Sequence, residues 1–249
     1  MMMFNRYKLL LIMFIATGSL SSCKKDSDFG VVDENVNGSF SKNSLATVNT
    51  AAVNQNLIFG INGHPLDLSP SYRGIGPYTQ INLVTSMGMN WYRFDIVAQS
   101  SGIVTVPYLF RPIHDAAVAS GVNILPVVYP RTLNLNSTEA VAYQAGKLLA
   151  TNFAKQNGQY FTHYELGNEL GIKLVLPGKT GQSQSHFDPA KIKAVAAYLK
   201  GMDEGIKATD PGAKTMVDAS WLRYGYLKYL ETYGVKFDII AYHWYNNCR

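Results

Sequence analysis

From Leu57 onward, short apolar runs alternate with amphipathic stretches in which apolar residues recur at helical spacing. The runs predict strands over Leu57–Asn62, Asn90–Ile96, Asn123–Tyr129, Thr162–Leu166, Lys214–Trp221 and Phe237–Trp244. Between them the spacing predicts helices over Thr79–Met87 (face Ile81, Val84, Met87), Leu109–Ser120 and Tyr224–Tyr233. A further helix starts at Ser137-Thr138-Glu139, with Val141, Ala145, Leu148 and Phe153 on one face. The longest amphipathic segment opens on Asp188-Pro189, an N-cap and a first-turn proline, and carries Ile192, Val195, Ala196, Leu199 and Ile206. Gly121 and Gly234 are expected to end their helices.

Strand–helix alternation of this kind implies a parallel sheet covered by helices. An open doubly wound sheet usually carries a glycine-rich phosphate loop after its first strand. Gly60-Ile61-Asn62-Gly63 does not fit that pattern, and no GxGxxG or Walker-type run occurs. Loops after strands are also longer and richer in polar and aromatic residues than those before them, which favours an α/β TIM (β/α)8 barrel. Such a barrel needs about eight units and about 250 residues. The count from residue 57 reaches only a sixth strand by residue 245, so the expectation is an incomplete barrel over 57–249, about six of eight units. Six strands would leave two open edges and an unfilled interior, an aggregation risk.

The first 56 residues read differently. Arg6 and Lys8 precede an apolar run from Leu9 to Ala16, too short to span a bilayer. Leu20-Ser21-Ser22-Cys23 then resembles a bacterial lipobox, so residues 1–22 read as a lipoprotein signal and Cys23 as the lipidated residue; an ordinary secretory signal with a chance Cys is the alternative. Residues 23–56, rich in Ser, Asn and Asp, read as a flexible tether. Export and attachment to an outer membrane, with the domain exposed at the cell surface, follow as an expectation. Lys24-Lys25-Asp26-Ser27-Asp28 suits a surface tag or simply a solvated linker. With Cys23 lipidated, Cys248 would have no disulfide partner. Removing Arg6 and Lys8 leaves 20 of the 22 basic residues against 17 acidic ones, with no basic stripe, which argues against a nucleic-acid partner. The five His and two Cys show no metal-ligand spacing, and no cofactor motif appears.

Candidate chemistry centres on Thr162-His163-Tyr164-Glu165-Leu166-Gly167-Asn168-Glu169. In a barrel, reactive groups sit at the C-terminal ends of strands. A carboxyl there is held rigidly and partly desolvated, which suits Glu169 to proton transfer, while Asn168 offers a donor and an acceptor. Taken alone, Gly-Asn-Glu reads as a strand-ending turn. Two strands later, His243 and Tyr245 fall on one side of another strand end.

These motifs resemble the clan A glycoside hydrolases, retaining (β/α)8-barrel enzymes. Asn168-Glu169 matches the Asn-Glu that ends their fourth strand, His243 with Tyr245 a His-x-Tyr pair at the sixth, and Arg93 an arginine near the end of the second. The resemblance covers residues 57–245 and implies that Glu169 is the acid/base of a two-carboxylate reaction on a polysaccharide or oligosaccharide. It implies that Asn168 binds a neighbouring hydroxyl, and that Arg93, His243 and Tyr245 orient a nucleophile on a seventh strand. No residue here matches that nucleophile, so this chain is expected to turn over no glycoside. Tyr129-Pro130 also stands where some families place a His. Asp95 and Asp218 lie near strand ends, and Glu165 lies four residues before Glu169 on the same inward face but lower in the barrel; none is nominated as nucleophile. Trp221, Trp244 and Tyr129 could stack on sugar rings or fill the rim of the core, and His64 could contact the substrate. The loop Gly171–His186 could shape a cleft. A noncatalytic carbohydrate-binding lipoprotein on the same barrel is the alternative.

Overall fold

A computed structural model describes residues 13–15 and 58–244. Seven strands form one parallel sheet: β1 Met13–Ile15, β2 Phe59–Asn62, β3 Trp91–Ile96, β4 Asn123–Val128, β5 His163–Leu166, β6 Lys214–Ser220 and β7 Ile239–His243. Their order in space is their order in the chain. A doubly wound sheet would reverse direction at a switch point; this one winds one way only, as a barrel does. The helices are α1 Pro70–Arg73, α2 Pro77–Ser86, α3 Pro107–Ala119, α4 Glu139–Asn157, α5 Pro189–Thr209 and α6 Tyr224–Tyr233. Strands β2 to β7, alternating with helices, make an incomplete TIM barrel of six strands. Among the described residues no helix is long and apolar enough to cross a membrane. Cys23 and Tyr245 lie outside the described residues.

β1 is not a predicted element. It pairs parallel to β2 in the register Met13↔Phe59 to Ile15↔Ile61. An edge strand presents unpaired N–H and C=O groups that a short extended segment can satisfy.

Each β-strand sends alternate residues to opposite faces, and the two faces carry separate apolar clusters. Tyr92, Phe94, Ile96, Ile124, Tyr164, Leu166 and Val217 pack outward against Ile81, Ile113, Phe153 and Val195 of the helices. Trp91, Leu125, Met216, Ile239 and Ala241 form a second buried cluster on the inner face. The sheet curls far enough for side chains of β3 and β7 to meet: Arg93 comes within 3.4 Å of His243.

The helix faces depart from expectation in α4 and α2. In α4, Val141 and Leu148 are exposed, while Ala142, Gly146, Leu149, Ala150 and Phe153 are buried. The reason is close contact with α5: a Cβ at Gly146 would lie 2.2 Å from the Tyr198 carbonyl oxygen, and one at Gly201 2.2 Å from that of Tyr143. Small residues let the two backbones approach, so the apolar stripe rotates away from its bulkier neighbours. Met87, expected on the buried face of α2, is half-exposed past the helix end. In α5 the expected face is buried, and Asp188 caps the N-terminus by accepting from the N–H groups of Ala190 and Lys191, each at 3.0 Å.

Candidate functional site

Above the inner apolar cluster lies a polar group contributed by five elements. Asn62 ends β2 in register with Arg93 of β3. Arg93 donates Nε to Glu165 Oε2 at 2.6 Å and Nη2 to Glu165 Oε1 at 2.5 Å, a fork matched to a carboxylate. Its remaining donors reach Asn62 Oδ1 at 2.7 Å and Asn168 Oδ1 at 2.8 Å. The Glu165 side chain is 0% exposed. Burial opposes its charge, but Arg93 and then His243 outweigh that and hold the carboxyl below its usual range. Arg93 is likewise opposed by burial, and Glu165 more than offsets it.

His243 ends β7 and links two carboxylates. Its Nε2 lies 3.3 Å from Glu165 Oε1 and its Nδ1 3.0 Å from Glu169 Oε1. Burial alone would lower its pKa, yet the bonds to Glu165 and Glu169 raise it to about 9. A raised pKa favours the imidazolium, the form that donates from both nitrogens. Arg93 Nη2 and His243 Nε2, 3.4 Å apart, are then two donors converging on one oxygen of Glu165.

Glu169 lies past the end of β5. The strand stops at Leu166, Gly167 turns the chain at φ 79°, and Glu169 itself sits at φ 51°. A left-handed conformation at a residue with a Cβ costs on the order of 1–3 kcal/mol. It is held by the Glu169 N–H, which donates to both carboxyl oxygens of Asp218 at 3.0 and 2.8 Å. Asp218 is buried on β6; burial first, then the neighbouring Glu165 charge, push its pKa above the usual carboxylate range.

These positions divide the labour among the carboxyl groups. Glu165 is sealed and forked to Arg93, and Asp218 is occupied with a backbone N–H. Glu169 keeps 17% of its side chain exposed beside the buried imidazolium. Of the three, it is the one that can meet a ligand.

Glu165, Asp218 and His243 also bring possible metal-ligand atoms within 4.8 Å of one another. They come from three strands, so no local spacing marks them in the sequence. Arg93 already bonds the Glu165 carboxylate there, and its charge opposes a cation in the same space.

The structure thus brings together Glu169, Asn168, Arg93 and His243, as the sequence suggested. Arg93 engages Glu165 and Asn168, a pairing that the sequence did not indicate. Trp221 and Trp244, which neighbour His243 along the backbone, stack on each other, centroids 4.5 Å apart at 18°. Trp221 is left-handed at φ 54°, and its N–H donates to the His243 carbonyl at 2.9 Å. Both rings remain substantially exposed, as does Tyr129.

His64 is set apart. Its ring is exposed, 3.9 Å from Asp95 Oδ2, in a cleft of about 410 Å3 with Leu66, Asp67 and Thr105. Burial raises the pKa of Asp95. The loop over 171–186 is pinned rather than loose: Gly181 accepts from Gly225 N–H at 3.1 Å, and Val175 bridges Phe187.

Sequence reasoning missed Asn62 and the structural uses of Glu165 and Asp218. The signal available was a polar residue at an inward position of an otherwise apolar strand, as in Thr215-Met216-Val217-Asp218.

No protein-family model matches the sequence, and no curated protein matches it. Among solved structures, the chain is similar to a β-glucosidase from Thermotoga maritima in complex with cyclophellitol: 12% identity and TM-score 0.49, over 68% of this chain and 54% of that one. It is also similar to the Ignisphaera aggregans GH53 catalytic domain (16% identity, TM-score 0.47, 65% and 50% covered). A third is the virulence factor SghA from Agrobacterium tumefaciens (16% identity, TM-score 0.42, 57% and 36% covered). The chain spans about half the length, or less, of these proteins.

Proposed function

We propose that this chain carries the acid/base half of a retaining glycosidase site, with Glu169 as the proton-transferring carboxyl. The observation that supports this most is the contrast within one cluster: Glu165 is sealed, Asp218 is turned to a backbone N–H, and Glu169 alone of the three reaches solvent. Arg93 fixes Asn168 through its Oδ1, which leaves the Asn168 amide NH2 to donate to a sugar hydroxyl.

In a retaining reaction, one carboxyl protonates the leaving oxygen while a second, roughly 5–5.5 Å away, attacks the anomeric carbon. Neither Glu165 nor Asp218 suits the attack, since both are buried and engaged. In its protonated form Glu169 would give its proton to the departing oxygen, and the resulting carboxylate would take one from the group that displaces the sugar. The nucleophile would then come from outside the Glu165–Asp218–His243 cluster.

The exposed Trp221–Trp244 pair supports a sugar-binding surface, a feature shared by the second reading, a carbohydrate-binding protein without turnover. A glycan panel followed by calorimetry tests the shared part of both readings. Trp244→Ala is expected to weaken a glycan identified in the panel by about tenfold or more, a loss of roughly 1.4 kcal/mol. Unchanged affinity would remove the aromatic pair from the site.

A further inference from the structure

The left-handed backbone of Glu169 needs an external hold. Gly167 supplies the first turn at φ 79°, but nothing in Asn168-Glu169 favours a second positive φ at 51°. The peptide N–H of Glu169 faces β6, where both oxygens of Asp218 receive it at 3.0 and 2.8 Å. Asp218 is only 4% exposed and stands opposite Ala241 in the β6–β7 ladder. The far end of the same residue, the Glu169 carboxylate, meets His243 Nδ1 at 3.0 Å. One side chain thus grips the backbone of Glu169 while another receives its carboxylate.

We propose that Asp218 is a positioning residue: its carboxyl group clamps the peptide N–H of Glu169 and so fixes the turn that directs the Glu169 carboxylate onto His243. A side chain that only filled space would not need both oxygens on one N–H. An aspartate on β6 reaches across the strand end, and it leaves the Arg93 fork to Glu165. The proposal rests on Glu169 as the reacting carboxyl, but its test needs no turnover.

The test is NMR of the full chain and of Asp218→Asn and Asp218→Ala, following hydrogen exchange of the Glu169 amide and the titration midpoint of the His243 ring. The ring faces Glu165, Glu169, Asp218 and Arg93, so deleting the Asp218 charge moves its midpoint in both variants. Asn keeps one oxygen acceptor for the N–H, whereas Ala keeps none, and the difference between them isolates the clamp. In Asp218→Ala the Glu169 amide is expected to exchange about tenfold faster or more. The His243 midpoint is expected to fall about one pH unit further than in Asp218→Asn as Glu169 swings away. Equal midpoints in the two variants, with Glu169 exchange unchanged, would overturn the proposal and leave Asp218 acting through charge alone. Asp218→Ser, whose hydroxyl stops short of the N–H, gives the same comparison if the Ala variant does not fold. Failure of Glu169 as an acid/base would appear in turnover and would leave both NMR readings intact.

Discussion

Replacing Arg93 by Met probes the pair that holds the site's interior together. The substitution keeps most of the aliphatic volume but removes two bonds to Glu165, at 2.6 and 2.5 Å, and those to Asn62 and Asn168. Glu165, 0% exposed, is left with His243 as its one charged partner in the cluster. Removing one member of a buried pair costs about 3–5 kcal/mol, because the other charge stays buried without its counterpart. Arg93→Met is therefore expected to lose about that much in urea unfolding at pH 7. Arg93→Met with Glu165→Leu should recover much of the loss, giving a coupling of about 2 kcal/mol or more in the double-mutant cycle. The pH dependence adds a check of sign. In the native chain the folded pKa of Glu165 is depressed, so its contribution is present above the unfolded value of about 4.3 and fades as pH falls through the folded one. Without Arg93, burial dominates and raises the folded pKa, so the variant should become relatively more stable as pH drops from 7 toward 5. A loss below about 1 kcal/mol with additive single substitutions would refute this account of the interior.

Two other outcomes follow, one from the His243 contacts and one from the α4–α5 packing. His243 has a folded pKa raised to about 9, so its contribution is complete below the unfolded value of about 6.5 and disappears as pH rises through 9. That change corresponds to at most about 3 kcal/mol; unfolding measured across pH 6 to 9.5 should show the decline, and His243→Gln should flatten it. On the helical side, Gly146→Val should cost about 2 kcal/mol or more by pushing α4 off α5, while Leu148→Ala on the exposed face should stay within about 0.5 kcal/mol. Urea midpoints that reversed this ranking would restore the helix face expected from the sequence.

Much of the fold was legible because period-2 and period-3.6 patterns survive in single segments. The six main strands fall within a few residues of expectation, and Asp188-Pro189 marks the start of α5 by local chemistry. The face of α4 was not legible. Apolar periodicity favours the bulkier residues Val141 and Leu148, whereas the contact with α5 is made by Gly146 and its small neighbours, which carry little apolar weight. At the site, Asn168-Glu169 and His243 could be read because each ends a strand. Arg93 pairing with Glu165 could not, since it depends on how tightly the sheet curls, and curl is a property of all the strands together. Asp218 was visible as a polar residue in an apolar strand, but its task depends on the backbone angle at Glu169.

The central proposal is that Glu169 supplies the acid/base half of a glycosidase reaction and that the attacking group comes from outside the Glu165–Asp218–His243 cluster. The direct measurement offers azide as an external nucleophile to the purified chain, with a panel of aryl glycosides, and looks for glycosyl azide by mass spectrometry. Product is expected only with azide present. Glu169→Gln should abolish it for phenyl leaving groups, which need protonation, and spare it for dinitrophenyl ones, which do not. Hydrolysis without azide that is lost in Glu169→Gln would contradict the missing nucleophile, and glycosyl azide formation unaffected by Glu169→Gln for every leaving group would contradict the role of Glu169.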